Sequence, residues 1–116
     1  KVFGRPVTDF QGNQWQLADV ATNLEASRLL TYEAARALDA GAKATVISAH
    51  AKKFATRTAL GDVATCMQIM GAEGFRDRYP LGRHLAGAKM AQYLDGTTEI
   101  QNVVISRGML QQLSGL

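Results

Sequence analysis

From Gln14 to Ala40 apolar side chains recur three and four residues apart, at Leu17, Val20, Ala21 and Leu24, then at Leu30, Ala34, Ala37 and Leu38. Glu25, Arg28, Glu33 and Arg36 fall mostly between them. This spacing predicts a long amphipathic helix, ended by Gly41. A second apolar stripe runs from Val46 through Ala49, Phe54, Ala59 and Val63 to Met70, with Thr45 as its N-cap and Gly71 as its stop. "GAEGFRDRYP" follows; Pro80 suits the first turn of a third helix, which extends to about Leu94. A fourth begins near Thr97 and runs to about Leu113, with Ile100, Val103, Val104, Ile105, Met109, Leu110 and Leu113 as its buried set.

The first thirteen residues, "KVFGRPVTDFQGN", carry Gly4, Pro6, Asp9, Gly12 and Asn13, which interrupt the backbone too often for a helix and predict a lead-in loop. No segment reads as a strand closed by a hairpin turn, since "NVVIS" lies inside a longer helical pattern. Two helices of roughly 26 residues, about 39 Å each, and two shorter ones with short connections predict an all-α fold, an antiparallel four-helix bundle.

Composition narrows the possibilities without naming a task. The 116 residues, 47% of them hydrophobic, suffice for one domain spanning 1–116 and its core. A formal charge of +3, with Lys43, Lys52, Lys53, Arg57, Arg76, Arg78 and Arg83 scattered among acids, describes a solvated surface and argues against a nucleic-acid partner. Cys66 is the only cysteine and sits on an apolar helical stretch, "DVATCMQIM", so it reads as a packed thiol. No apolar run reaches the 18 or so residues that span a bilayer, so no membrane partner is expected. A reduced Cys66 suits the cytoplasm or a mitochondrial matrix.

Candidate chemistry is sparse. His50 and His84 are far apart and lack a second ligand at helical spacing, so no metal is expected. "GAEGF" reads as a helix stop without the strand, spacing or lysine of a nucleotide loop, although Gln68, Gly71, Ala72 and Gly74 bring an amide and backbone N–H groups to a surface. In "YLDGTTEIQ", Thr97 reads as an N-cap. Asp95 then either sits idle near the positive end of the helix dipole or projects from a rigid turn into an apolar pocket as a general base. Spacing alone favours the first.

The chain also resembles a known family. "KVFGRPVTDFQ", "CMQIMGAEGF", "YPLGRHLAGAKM" and "YLDGTTEIQNVVISRGML" together are similar to the C-terminal helical domain of the acyl-CoA dehydrogenases. The last segment resembles a Tyr-Glu-Gly-Thr-x-Glu/Gln-Ile-Gln pattern. The resemblance implies a flavoprotein that uses FAD to dehydrogenate an acyl-CoA thioester between its α and β carbons. It puts Asp95 at the catalytic base position and Gly96 against the substrate thioester. It puts Thr97 and Glu99 against FAD in one subunit, and Phe3, Gln11, Gln68, Gly71 and Ala72 against the FAD of a neighbour. A homo-oligomer, dimer or tetramer, and electron-transfer flavoprotein as electron acceptor follow from the same resemblance.

It further implies that an N-terminal helical domain, a middle β-domain and the first helix of the C-terminal domain lie outside these residues, so that the 116 residues alone are inactive and self-associate through uncovered apolar faces. The departures are specific: Asp95 replaces the usual Glu, Leu94 a Tyr, Ala72 a Gly, and Ala86 and Gly87 an Arg and an Asp. A base displaced by about 1 Å can cost on the order of 100-fold in rate. Because nitroalkane oxidases and some alicyclic acyl-CoA dehydrogenases carry Asp there, a carbon-acid oxidase is one alternative, and a non-catalytic helical assembly subunit is the other.

Overall fold

A computed structural model describes residues 1–115. Four helices account for most of them: α1 (Gln11–Asp39), α2 (Thr45–Met70), α3 (Leu81–Ala91) and α4 (Thr98–Ser114), with short 3-10 turns at Val7–Asp9 and Gly71–Phe75. The fold is all-α, as the spacing predicts.

α1 begins three residues earlier than its apolar pattern. Gly12 and Asn13 are accommodated because the first turn of a helix has N–H groups without intrahelical partners. The side chains of that turn are put to use, Asn13 Nδ2 donating to Val7 O (2.8 Å) and Gln14 Nε2 to Thr8 O (2.9 Å), which folds the lead-in back onto the helix. At the other end Gly41, at φ 69°, closes a Schellman motif: its N–H donates to Leu38 O and that of Ala42 to Ala37 O, both at 2.9 Å. The chain reverses there and enters α2. Thr45 is already helical and caps nothing; Ala44 precedes it, with no side-chain cap.

α1 and α2 run antiparallel, pinned by two polar pairs. Asn23 Nδ2 donates to Asp62 Oδ1 (3.0 Å), and the Ser27 and Thr58 hydroxyls lie 3.4 Å apart. α3 and α4 also pack on α2, so that the second helix is the hub of the structure. Both run antiparallel to it and follow one another along its length. Leu81 lines a cavity with Cys66, Gln92 Nε2 donates to Thr56 O (3.5 Å), and Gly108 lies against Val46. α3 stops at Ala91, short of the expected Leu94, because the N–H groups of Gln92 and Tyr93 tighten onto Lys89 O and Met90 O.

The molecule is drawn out, 61 × 26 × 25 Å with a radius of gyration of 17.8 Å, against about 13 Å for a compact domain of around 100 residues. Among the described residues the buried apolar ones are small or flexible: Ala34, Ala44, Ala49, Ala51 and Met67. The set expected to be buried on α4 is corrected here. Ile100, Val103, Met109, Leu110 and Leu113 are exposed, and only Val104 and Ile105 are half-buried. α4 has α2 as its packing partner, and one neighbour covers only part of a helical face.

Candidate active site

The turn from Gln92 to Thr97 joins α3 to α4. Thr97 is the N-cap of α4, its Oγ1 accepting the Ile100 N–H at 3.3 Å. Gly96, at φ 114°, has a backbone that only glycine adopts readily, and a Cβ there would lie 3.0 Å from Nε2 of the buried Gln101. Asp95 is left-handed at φ 54°, which costs a non-glycine residue about 1–2 kcal/mol, although Asp and Asn tolerate it best.

Such strain persists only where the surroundings impose it, and here a lysine does so. Lys52 of α2 sends its Nζ to the carbonyl oxygens of both Leu94 and Gly96, on either side of Asp95. Among the described residues the Asp95 side chain is exposed and not set in an apolar pocket, because α4 has one packing partner and nothing covers this side of the turn; its carboxylate makes no ion pair or hydrogen bond with them. Its N–H likewise has no backbone acceptor. Capping is therefore the work of Thr97, and both polar groups of Asp95 remain free. Glu99 stands exposed in the first turn of α4, where the helix dipole favours a carboxylate.

The remaining predicted positions lie elsewhere. Gln68 and Gly71, the latter at φ 63°, share a depression of about 230 Å³ with Ala64, Met67, Phe75 and Leu85, and Ala72 is exposed beside it. Gly74 is buried against Met67: a Cβ would come within 3.0 Å of Met67 O. Glu73 bridges Arg76 (3.1 Å) and Arg78, and its hydrogen bond and charge raise the Arg78 pKa above its ordinary value. Val7 and Thr8 share a second cavity with Ile69, Met70 and Tyr79, which brings the lead-in carrying Phe3 and Gln11 to this end of α2. Phe3 itself is 92% exposed. Lys52 and Gln68 are sixteen residues apart on one helix, about 24 Å at 1.5 Å per residue.

The predicted residues thus form two groups: Asp95, Gly96, Thr97 and Glu99 at mid-molecule, and Phe3, Gln11, Gln68, Gly71 and Ala72 towards one end. Among the described residues no group of three His, Cys, Asp or Glu side chains could hold a metal ion, and no helix is long and apolar enough to cross a membrane.

A family model described as the acyl-CoA dehydrogenase C-terminal domain matches residues 1–110. The chain belongs to the acyl-CoA dehydrogenase family. It is similar to the mitochondrial short/branched chain specific acyl-CoA dehydrogenase of Bos taurus, with 42% identity over 107 residues, covering 92% of this chain and 25% of that protein. Among solved structures it resembles butyryl-CoA dehydrogenase from Megasphaera elsdenii, at TM-score 0.91 and 36% identity, covering 95% of this chain and 29% of that one. It also resembles PigA, solved as an FAD complex, at TM-score 0.88 and 27% identity, over 94% and 28% of the respective chains. The chain therefore spans less than a third of the length of these relatives.

Sequence reasoning missed two members of this acyl-CoA dehydrogenase turn. Lys52 reads as one more surface cation, because the carbonyls that it holds are 42 and 44 residues away and backbone oxygens leave no mark in a sequence. Gln101 receives no role from the apolar spacing of α4, yet it is only 8% exposed and packs against Gly96.

Proposed function

We propose that the whole protein uses FAD to dehydrogenate an acyl-CoA thioester between its α and β carbons, and that this domain supplies the base, Asp95. The observation that carries the reading is the uncommitted state of Asp95: a free carboxylate and a free N–H on one strained, tethered residue. A carboxylate left without a partner on a rigid turn is available to take a proton from carbon. The N–H of the same residue is available to the thioester oxygen as negative charge develops there, and such a fixed donor strengthens as the charge grows.

The residues present suit FAD. Thr97 and Glu99 offer a hydroxyl and a carboxylate beside Asp95. Gln68 and the open backbone around Gly71 and Ala72 offer an amide and N–H donors beside an apolar depression. FAD, when bound, supplies the acceptor for the hydride from the β carbon. Asp95 removes the α proton, its N–H holds the carbonyl oxygen, and Gly96 lets the turn close on Gln101 where a side chain would push it and Asp95 outward.

The two groups of residues, about 24 Å apart along α2, support the reading in which one chain contributes to two flavins, its own and that of a second copy. The exposed apolar faces of α1 and α4 support a homo-oligomer within which this domain is one part. Electron-transfer flavoprotein is the acceptor that fits a dehydrogenase of this kind. By this reading the 116 residues alone do not turn over substrate.

The test is Asp95→Asn in the full-length protein. FAD should be retained, with its absorbance intact, while reduction of the flavin by butyryl-CoA or isobutyryl-CoA falls by about 10²–10⁴-fold, the range of a lost general base. Reduction at the wild-type rate would assign the base to another residue.

A further inference from the structure

Lys52 has an environment that its own charge does not explain. It is half-buried in the N-terminal third of α2 beside the buried Ala51, and among the described residues it forms no ion pair with an acid. Its ammonium group is instead given to two backbone carbonyls, those of Leu94 and Gly96. These two oxygens bracket Asp95 and Gly96, the two residues of the turn whose φ angles are positive.

We propose that Lys52 is a positioning residue for the reaction, one that aims both the N–H and the carboxylate of Asp95. The inference rests on the reading of Asp95 as the base. The peptide bond between Leu94 and Asp95 is planar and trans, so its C=O and N–H point in opposite directions. Drawing the Leu94 oxygen in towards α2 therefore turns the Asp95 N–H away from α2, the direction in which it meets no backbone acceptor. Holding the Gly96 oxygen as well fixes the far side of the turn. Asp95 is left between two anchored carbonyls, with little freedom to relax from its left-handed backbone.

A polar anchor of this kind differs from a helix cap. Thr97 fixes where α4 begins, using a hydroxyl three residues from its partner. Lys52 ties the turn to another helix across more than forty residues of sequence, so that the base is referenced to the hub of the molecule and not merely to its own neighbours. Backbone geometry at a catalytic group matters steeply, a displacement of about 1 Å being worth about 100-fold.

The experiment compares Lys52→Met, Lys52→Gln and Lys52→Arg in the full-length, FAD-containing protein. Methionine keeps an unbranched stem and removes the donors; arginine keeps charge and donors; glutamine keeps one donor group. The methionine variant is expected to retain FAD and a near wild-type KM for butyryl-CoA, while its flavin-reduction rate falls about 10–100-fold. Amide exchange at Leu94, the residue of this turn whose N–H has a backbone acceptor (Met90 O, 3.3 Å), should quicken while that of the middle of α4 stays unchanged. Arginine should recover most of the rate. If methionine fails to fold, the glutamine and arginine variants carry the same comparison, with glutamine the slower and its turn the faster to exchange.

A methionine variant that reduces flavin as fast as wild type, or one that is slow with unchanged exchange at Leu94, overturns the proposal. If Asp95→Asn proves fully active, the base reading fails on its own, and exchange at Leu94 still decides whether Lys52 holds the turn.

Discussion

Two turns of this chain, Gly71–Phe75 and the one around Asp95, each carry a glycine with positive φ, and they are held in opposite ways. Gly71–Phe75 is closed by near neighbours: Gly74 presses on Met67, and Glu73 bridges Arg76 and Arg78. The turn around Asp95 is held from a distance, by Lys52 across 42 and 44 residues. A locally closed turn keeps its own shape whatever lies around it. A turn tied to another helix keeps its position relative to the whole molecule, which is what a group that must meet a substrate requires.

The sharpest way to break that comparison is Gly96→Ala. The variant imposes a Cβ at φ 114° and pushes on Gln101, so the turn should be destabilised by about 1–3 kcal/mol. Flavin reduction in the full-length protein should fall at least about tenfold through displacement of Asp95; an unchanged rate would mean that the turn has slack. Gly74→Ala makes the matching change at the other turn, where the obstacle is backbone, Met67 O at 3.0 Å and Met67 Cα at 3.1 Å. Overpacking there should cost about 1–3 kcal/mol in denaturant unfolding, with the loss appearing as stability and FAD retention. The smallest effect belongs to Thr97→Ala. Loss of the cap should cost about 1 kcal/mol, and, with both Lys52 bonds in place, the rate of flavin reduction should fall less than in Lys52→Met.

What the sequence made legible follows the range over which each force acts. The body of α2 and its end at Met70 were readable, because its stripe is continuous and Gly71 stops it, whereas Thr45, expected as the cap, is the first helical residue. Thr97 as N-cap was readable because the partner of its hydroxyl is three residues away. The start of α1 was not, since Gly12 and Asn13 are poor helix formers in general and harmless in a first turn. Asp95 stood out as a candidate, but the spacing favoured an idle carboxylate, and only the bonds made by Thr97 and Lys52 separate idle from free. The spacing of α4 named a buried set of which only Val104 and Ile105 are half-buried, because apolar side chains lie around much of this helix and a sequence does not say what will cover them.

That uncovered face has a thermodynamic consequence. With Leu24, Leu29, Tyr32 and Leu38 on α1 and Met109, Leu110 and Leu113 on α4 all more than half exposed, much of the apolar transfer energy encoded in the chain is not collected by its own folding. It is collected only when a further surface arrives. Folding and encounter are then linked by mass action: the melting temperature of this unit rises with the concentration of whatever surface covers it.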